Sequence, residues 1–338
     1  MDILALILFL SIFVLILYGF PVAFTLGGIS IIYALLFLEP SAFSALPPRI
    51  MGVMSNYVLL AVPLFIYMGI MLEKSGLAER MLETMGMLFG KIPGGLAISV
   101  VVVGALLAAS TGIVGATVIT MGLISLPTML KRGYTPELAT GTIASAGTLG
   151  QIIPPSIVLI LLSSILTSSG GGVVKVSVGD LFAAALLPGL LLVLAYIIYI
   201  LIYARIKPEN APVIPEEDIR ARYGDNFKKD ILSGLIIPIG FIGLTVLFGR
   251  QFNLETHFVY IALILLIVGY IAWLNFSKKE QALNLFNTFL MPFGLIVGVL
   301  GSIFEGFATP TEAAAVGAIG ATLLTVLQKK VNLEIIKK

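Results

Sequence analysis

The chain has 338 residues, 59% of them hydrophobic and 11% charged, with no cysteine. This composition excludes a soluble globular domain, and the absent cysteine excludes disulfides, thiolate metal sites, iron–sulfur clusters and cysteine nucleophiles. A formal charge of +2 is small for this length and points to no nucleic-acid partner, so the placement of the charges carries the information.

Apolar runs near 20 residues recur along the chain, the length that crosses a hydrocarbon core of about 30 Å at about 1.5 Å per residue. They read as helices, because the alternating pattern of a barrel strand is absent. The first, Ile3 to Leu17, lacks the basic flank and cleavage site of a secretory signal and is expected to be a retained span. Spans follow at about 21–38 and 57–72. Residues 77–91, "LAERMLETMGMLFGK", have the charge pattern of an amphipathic connector lying among headgroups.

Residues 96–130 form one apolar stretch of 35 residues, about 52 Å if helical, too long for one span and too short for two plus a turn. Its middle, "AASTGIVGAT", is small and hydroxylated, which predicts a re-entrant hairpin. A broken segment over 137–167, a span at 181–204, a mixed-charge loop over 205–232 and spans near 233–249, 257–275, 284–303 and 311–327 complete the chain. The loop reads as a solvated linker. With the hairpin returning to its own side, seventeen of the twenty Lys and Arg share a side, and only Arg49, Lys175 and Arg250 lie opposite. The positive-inside rule then makes that side cytoplasmic and puts the N-terminus outside.

The broken segment carries "GTLGQIIPPSIV". Pro154 and Pro155 have no amide hydrogen, so the carbonyls of Gly150 and Gln151 lose their helical donors. In hydrocarbon this is costly unless a cation, water or side chain takes their place. Pro155 is expected to open a new half-helix, whose amides and dipole face inward beside Ser156. Ser110, Thr111, Gly112 and Thr117 at the hairpin tip, with Gly147, Thr148, Gly150 and Gln151 at the break, make an uncharged, oxygen-rich set suited to sodium. Pro155 and Ser156 are the candidates for the side facing a substrate carboxylate. Each small residue also has an ordinary role in close helix packing. No carboxylate is expected within the membrane portion of residues 1 to 204, which argues against a proton relay. Glu312 reads as a helix-capping residue. The lone histidine, His257, and the absence of nucleotide or metal motifs argue against an enzyme.

The blocks "GFPVAFTLGG" at 19–28, "AVPLFIYMGIMLEKSGLAER" at 61–80, "ASTGIVGATVITMGLISLPTMLKRGYTPELATGTIASAGTLGQIIPPSIVLIL" at 109–161, "VGDLFAAALLPGLLL" at 178–192 and "ATPTEAAAVGA" at 308–318 resemble, in order, the large membrane subunit of the tripartite ATP-independent periplasmic (TRAP) transporters. The resemblance implies an all-α, polytopic, inverted-repeat transporter of elevator type in the bacterial or archaeal cytoplasmic membrane. It implies a sodium-coupled importer of small organic anions, partnered by a periplasmic binding protein and a small four-span membrane subunit. Its division of the chain is 1–95 for scaffold helices and connector, 96–204 for the transport-domain hairpin, broken helix and following span, 205–232 for a cytoplasmic loop, and 233–338 for further spans and the start of a second repeat. In the family a second hairpin and a second Pro-Pro break follow the "TPTEAAAVGA" block. Here the sequence stops shortly after it, so a scaffold subunit without autonomous transport is the alternative expectation.

Overall fold

A computed structural model describes residues 2–169, 176–224, 227–240, 242–243, 256–277 and 280–327. Among them every regular element is a helix. Among the described residues four helices are long and apolar enough to cross a membrane, at Tyr57–Lys74, Val114–Lys131, Val178–Ile206 and Ala282–Phe304. Shorter apolar helices accompany them, and large apolar side chains are exposed over most of the surface. That is the outward face expected of a polytopic membrane protein, where lipid replaces a second layer of core.

The chain divides into two compact units. In the first, residues 1–57, α1 (Asp2–Leu17) and α2 (Val22–Phe37) pack as a pair, followed by the short α3 (Leu46–Met54). Both long helices are apolar on all sides, so nearly every side chain in them is open or half-open.

The second unit is built around α6 (Gly95–Thr111). Against it lie α4 (Ala61–Lys74), α5 (Leu77–Phe89), α7 (Val114–Lys131), α8 (Pro136–Thr148) and α10 (Val178–Ile206). One core cluster gathers Met81, Leu82, Val100, Val101, Met121, Met129 and Ile143; a second gathers Phe65, Met68, Leu149, Ile160 and Phe182. The connector α5 turns Leu77, Met81 and Leu82 onto α6, so protein rather than headgroups covers its apolar face.

Helices α6 and α7 form a hairpin. Its two arms, α6 and α7, are separated only by Gly112 and Ile113, and its two feet are pinned together. Tyr134, just after α7, accepts the amide hydrogen of Leu96, in the first turn of α6, on its phenol oxygen at 3.3 Å.

The mixed-charge segment is docked rather than solvated. After α10 the chain passes beneath both feet. The Gly94 amide donates to the Ala211 carbonyl (3.1 Å), the Ile214 amide to Gly90 (2.7 Å) and the Thr135 amide to Asn210 (3.3 Å). Ala211, Ile214 and Ile219 are buried. The following α11 (Glu216–Tyr223) sets Glu216 against Lys91 and Asp218 against Arg132. This strap explains why a charge-rich, proline-containing loop is ordered: its few apolar residues meet the hairpin feet and its acids meet their bases.

Beyond it, α12 (Phe227–Ile231) opens a further helix, and α13 (Thr256–Phe276) follows. A continuous helix then runs from α14 (Glu280–Leu285) through a π turn into α15 (Met291–Phe304). The last described helix, α16 (Pro310–Leu327), packs along α4, with the Thr325 hydroxyl 3.4 Å from the Met71 carbonyl. Its start is a capping box. The Thr309 amide donates to Glu312 at 2.8 Å and the Glu312 amide to the Thr309 hydroxyl at 3.3 Å, in line with the capping role expected for Glu312. The side chain of His257 lies outside the described residues.

Candidate ion and substrate site

The hairpin tip and the helix break meet. Gly112 adopts φ +62°, the left-handed region that favours glycine, and a β-carbon there would stand 3.2 Å from Ile157 Cγ1 and 3.5 Å from the Ile157 amide nitrogen. Ile157 is the first residue of α9 (Ile157–Ser169), so the tip abuts the start of the second half-helix. On the other lip, a β-carbon on Gly147 would lie 2.3 Å from Val118 Cγ2 and 3.1 Å from the Val118 backbone nitrogen. Only glycine lets α8 approach the returning arm this closely.

The break itself runs from Leu149 to Ser156. The helix tightens into a 3-10 turn over Leu149–Gln151, and both the Ile152 and Ile153 amides reach the Leu149 carbonyl. Pro154 and Pro155, buried and joined by a cis peptide bond, then interrupt the ladder. Gln151 does not leave its carbonyl bare: the Ser156 hydroxyl donates to it at 2.7 Å. Ser156 is fully buried, and its oxygen stands 3.5 Å from the Leu159 amide, the N-cap position of α9. The second half-helix therefore opens at Ile157, not at Pro155, because serine supplies the capping oxygen that proline lacks. Pro155 precedes the cap. The Gly150 carbonyl has Pro154 four residues on and receives no amide from it.

The other candidates are placed as follows. Thr117 is buried, with its hydroxyl donating to the Ile113 carbonyl at 2.9 Å. Gly150 is buried and Gln151 exposed. Thr148 is exposed on the face of α8 next to that of Gly147, and its hydroxyl donates to the Ser145 carbonyl at 2.8 Å. Ser110 and Thr111 fall in the last turn of α6; their side chains lie outside the described residues. Gly112 thus lies against the residue that follows Ser156, and Gly147, three residues before Gly150, lies against the arm whose first turn carries Thr117. Among the described residues no group of three or more His, Cys, Asp or Glu gathers anywhere.

The sequence reading missed a carboxylate. Glu73, at the end of α4, accepts the Thr120 hydroxyl of α7, so an acid touches the hairpin's returning arm about halfway along it. The signal was present in "LEKSG", where an acid closes an apolar run.

The family model for the tripartite ATP-independent periplasmic transporter, DctM component, matches residues 9–338. The chain belongs to this family. Similar TRAP proteins include the C4-dicarboxylate large permease protein DctM of Vibrio cholerae serotype O1, 31% identical over 92% of this chain and 53% of its own length. The protein of that name in Pseudomonas aeruginosa is 31% identical over 86% of this chain and 52% of its own length. The ectoine large permease protein TeaC of Halomonas elongata is 30% identical over 67% of this chain and 50% of its own length. The chain spans about half the length of the curated relatives it matches. The relatives are named as permease proteins, and the helical, apolar architecture of the described residues suits that family.

Proposed function

We propose that the chain works as the large permease subunit of a sodium-coupled importer of small organic anions. The observation that carries this reading is the junction of the two interrupted helices, where Gly112 meets the start of α9 and Gly147 meets α7. Interrupted helices at membrane depth present carbonyl oxygens to a cation from one side and half-helix amides to an anion from the other. Sodium is held by the oxygens of Ser110, Thr111, Thr117 and Thr148 and by backbone carbonyls at Gly112, Gly147, Gly150 and Gln151. The substrate carboxylate sits at the N-terminal end of α9, beyond Pro155 and Ser156, where the helix dipole is positive. A C4-dicarboxylate is the first substrate to test, because two similar proteins carry that name.

A periplasmic binding protein delivers the substrate, a small four-span subunit braces the permease, and the hairpin with its broken helix moves as one body against the scaffold. The basic strap side is cytoplasmic and the N-terminus is outside, in the cytoplasmic membrane. The alternative reading is a scaffold subunit without autonomous transport. Proteoliposomes holding the permease, with and without the two partner proteins, test both readings: uptake of labelled C4-dicarboxylate driven by an inward sodium gradient is expected. No uptake in any combination leaves the scaffold reading.

A further inference from the structure

A groove runs up the side of the second unit between α8 and α10, floored by Val101 of α6, with a volume of about 350 Å³. Polar side chains line it alongside the apolar Leu138 and Ile200. From α8 come Glu137, Gly141 and Ser145; from α10 come Tyr196, Tyr199 and Tyr203. On α8 the spacing is four and four residues, which holds these positions on one face. Thr148 continues that face one turn further, tied by its hydroxyl to the Ser145 carbonyl. The line therefore climbs from the strap end of α8 to the helix break.

Tyr196 lies ten residues from the end of α10 at Ile206, or about 15 Å along the helix axis, and Ser145 lies nine residues from the start of α8, about 13 Å. Both lie well inside their helices. At that depth hydroxyls open to hydrocarbon are costly unless water reaches them. The contents are also biased in sign. Glu137 is the sole charged residue lining the groove, is exposed, and enters none of the ion pairs among the described residues. Tyr199 and Tyr203 stack with centroids 6.1 Å apart, and aromatic faces and hydroxyl oxygens favour cations.

We propose that this groove is a water-filled cation route joining the cytoplasm to the helix break, with Glu137 as its mouth and Ser145 and Tyr196 as its upper wall. For the identity of the cation it rests on the sodium reading above.

Because the chain has no cysteine, single cysteines report on the groove directly. Ser145→Cys is compared with Ile198→Cys, an exposed α10 position outside the groove. Inside-out vesicles of the full-length protein are treated with a membrane-impermeant cationic thiosulfonate or its anionic counterpart. Ser145→Cys is expected to react with the cationic reagent about 10-fold faster than Ile198→Cys and faster than with the anionic one, and adding Glu137→Gln removes most of that charge preference. Reaction of Ser145→Cys no faster than Ile198→Cys, while a membrane-permeant maleimide still labels both, overturns the proposal. So does a charge preference that survives Glu137→Gln. Slowing by sodium but not potassium supports sodium as the cation; equal rates in both salts leave the groove standing and sink the sodium reading alone.

Discussion

Tyr134 and Leu96 are 38 positions apart in sequence and joined by one hydrogen bond, phenol oxygen to amide, at 3.3 Å. The bond satisfies a first-turn amide of α6 and fixes the two feet of the hairpin at one level. Replacing Tyr134 by Phe leaves that amide without its partner in a buried site and is expected to lower stability by about 1–3 kcal/mol, read as a fall in the thermal transition of the purified protein. Burial pushes the Tyr134 phenol up to about 12, against the opposing pull of the Leu96 and Ala97 amides. The folded value lies above the unfolded value of about 10. The contribution is therefore complete below pH 10 and is lost as pH rises toward 12. An ultraviolet titration is expected to show one tyrosine ionising near pH 12 that Tyr134→Phe removes.

The contact of Gly147 with Val118 leaves no room for a methyl group. Gly147→Ala is expected to cost about 1–3 kcal/mol by overpacking and to reduce sodium-driven uptake by more than that loss explains, because it parts α8 from the arm that carries Thr117. Thermal transition and uptake measured on the same preparation separate the two effects.

Ser156 ties the two sides of the break, donating to Gln151 and capping α9. Ser156→Ala removes both contacts and is expected to cost about 0.5–2 kcal/mol. Ser156→Thr, which keeps a hydroxyl, is expected to restore part of it. Equal thermal transitions for the Ala and Thr variants would count against the cap.

The strap owes its docking to apolar burial more than to charge. Ile214→Ala is expected to expose the segment around residues 216–224 to limited proteolysis, at about 2–5 kcal/mol of lost core contact. Asp218→Asn, which breaks only a half-exposed ion pair with Arg132, is expected to cost under about 1 kcal/mol and to leave the digestion pattern unchanged.

At the tip, Ile113 is 36% exposed between the two hairpin arms. A single cysteine there is expected to react with water-soluble thiol reagents from the cytoplasmic side or from an internal cavity. Reaction only with lipid-soluble reagents would contradict a re-entrant tip set against α9.

The helices were legible in the sequence because bilayer thickness fixes the length of an apolar run locally. A stretch of 35 residues fits neither one span nor two, so its length, with the small hydroxylated middle and the placement of the basic residues, made the hairpin over 96–130 legible, and the bond between Tyr134 and Leu96 joins its feet. The double proline likewise announced a break, since missing amides are a property of the residues themselves. The start of α9 was not legible at that resolution: whether Pro155 or Ser156 borders the helix depends on which oxygen reaches the Leu159 amide.

The sequence by itself determined the solvent, the helices and the places where they fail, because hydropathy and proline chemistry act over a few neighbouring residues. Only the tertiary structure decided what those places touch. The same composition would suit a free linker or a docked strap, and nothing local to Glu73, Tyr134 or Glu137 reveals a partner 47 or 38 residues away or a facing helix. Such contacts arise from how α6 gathers its neighbours, a property of packing between segments that no single segment contains.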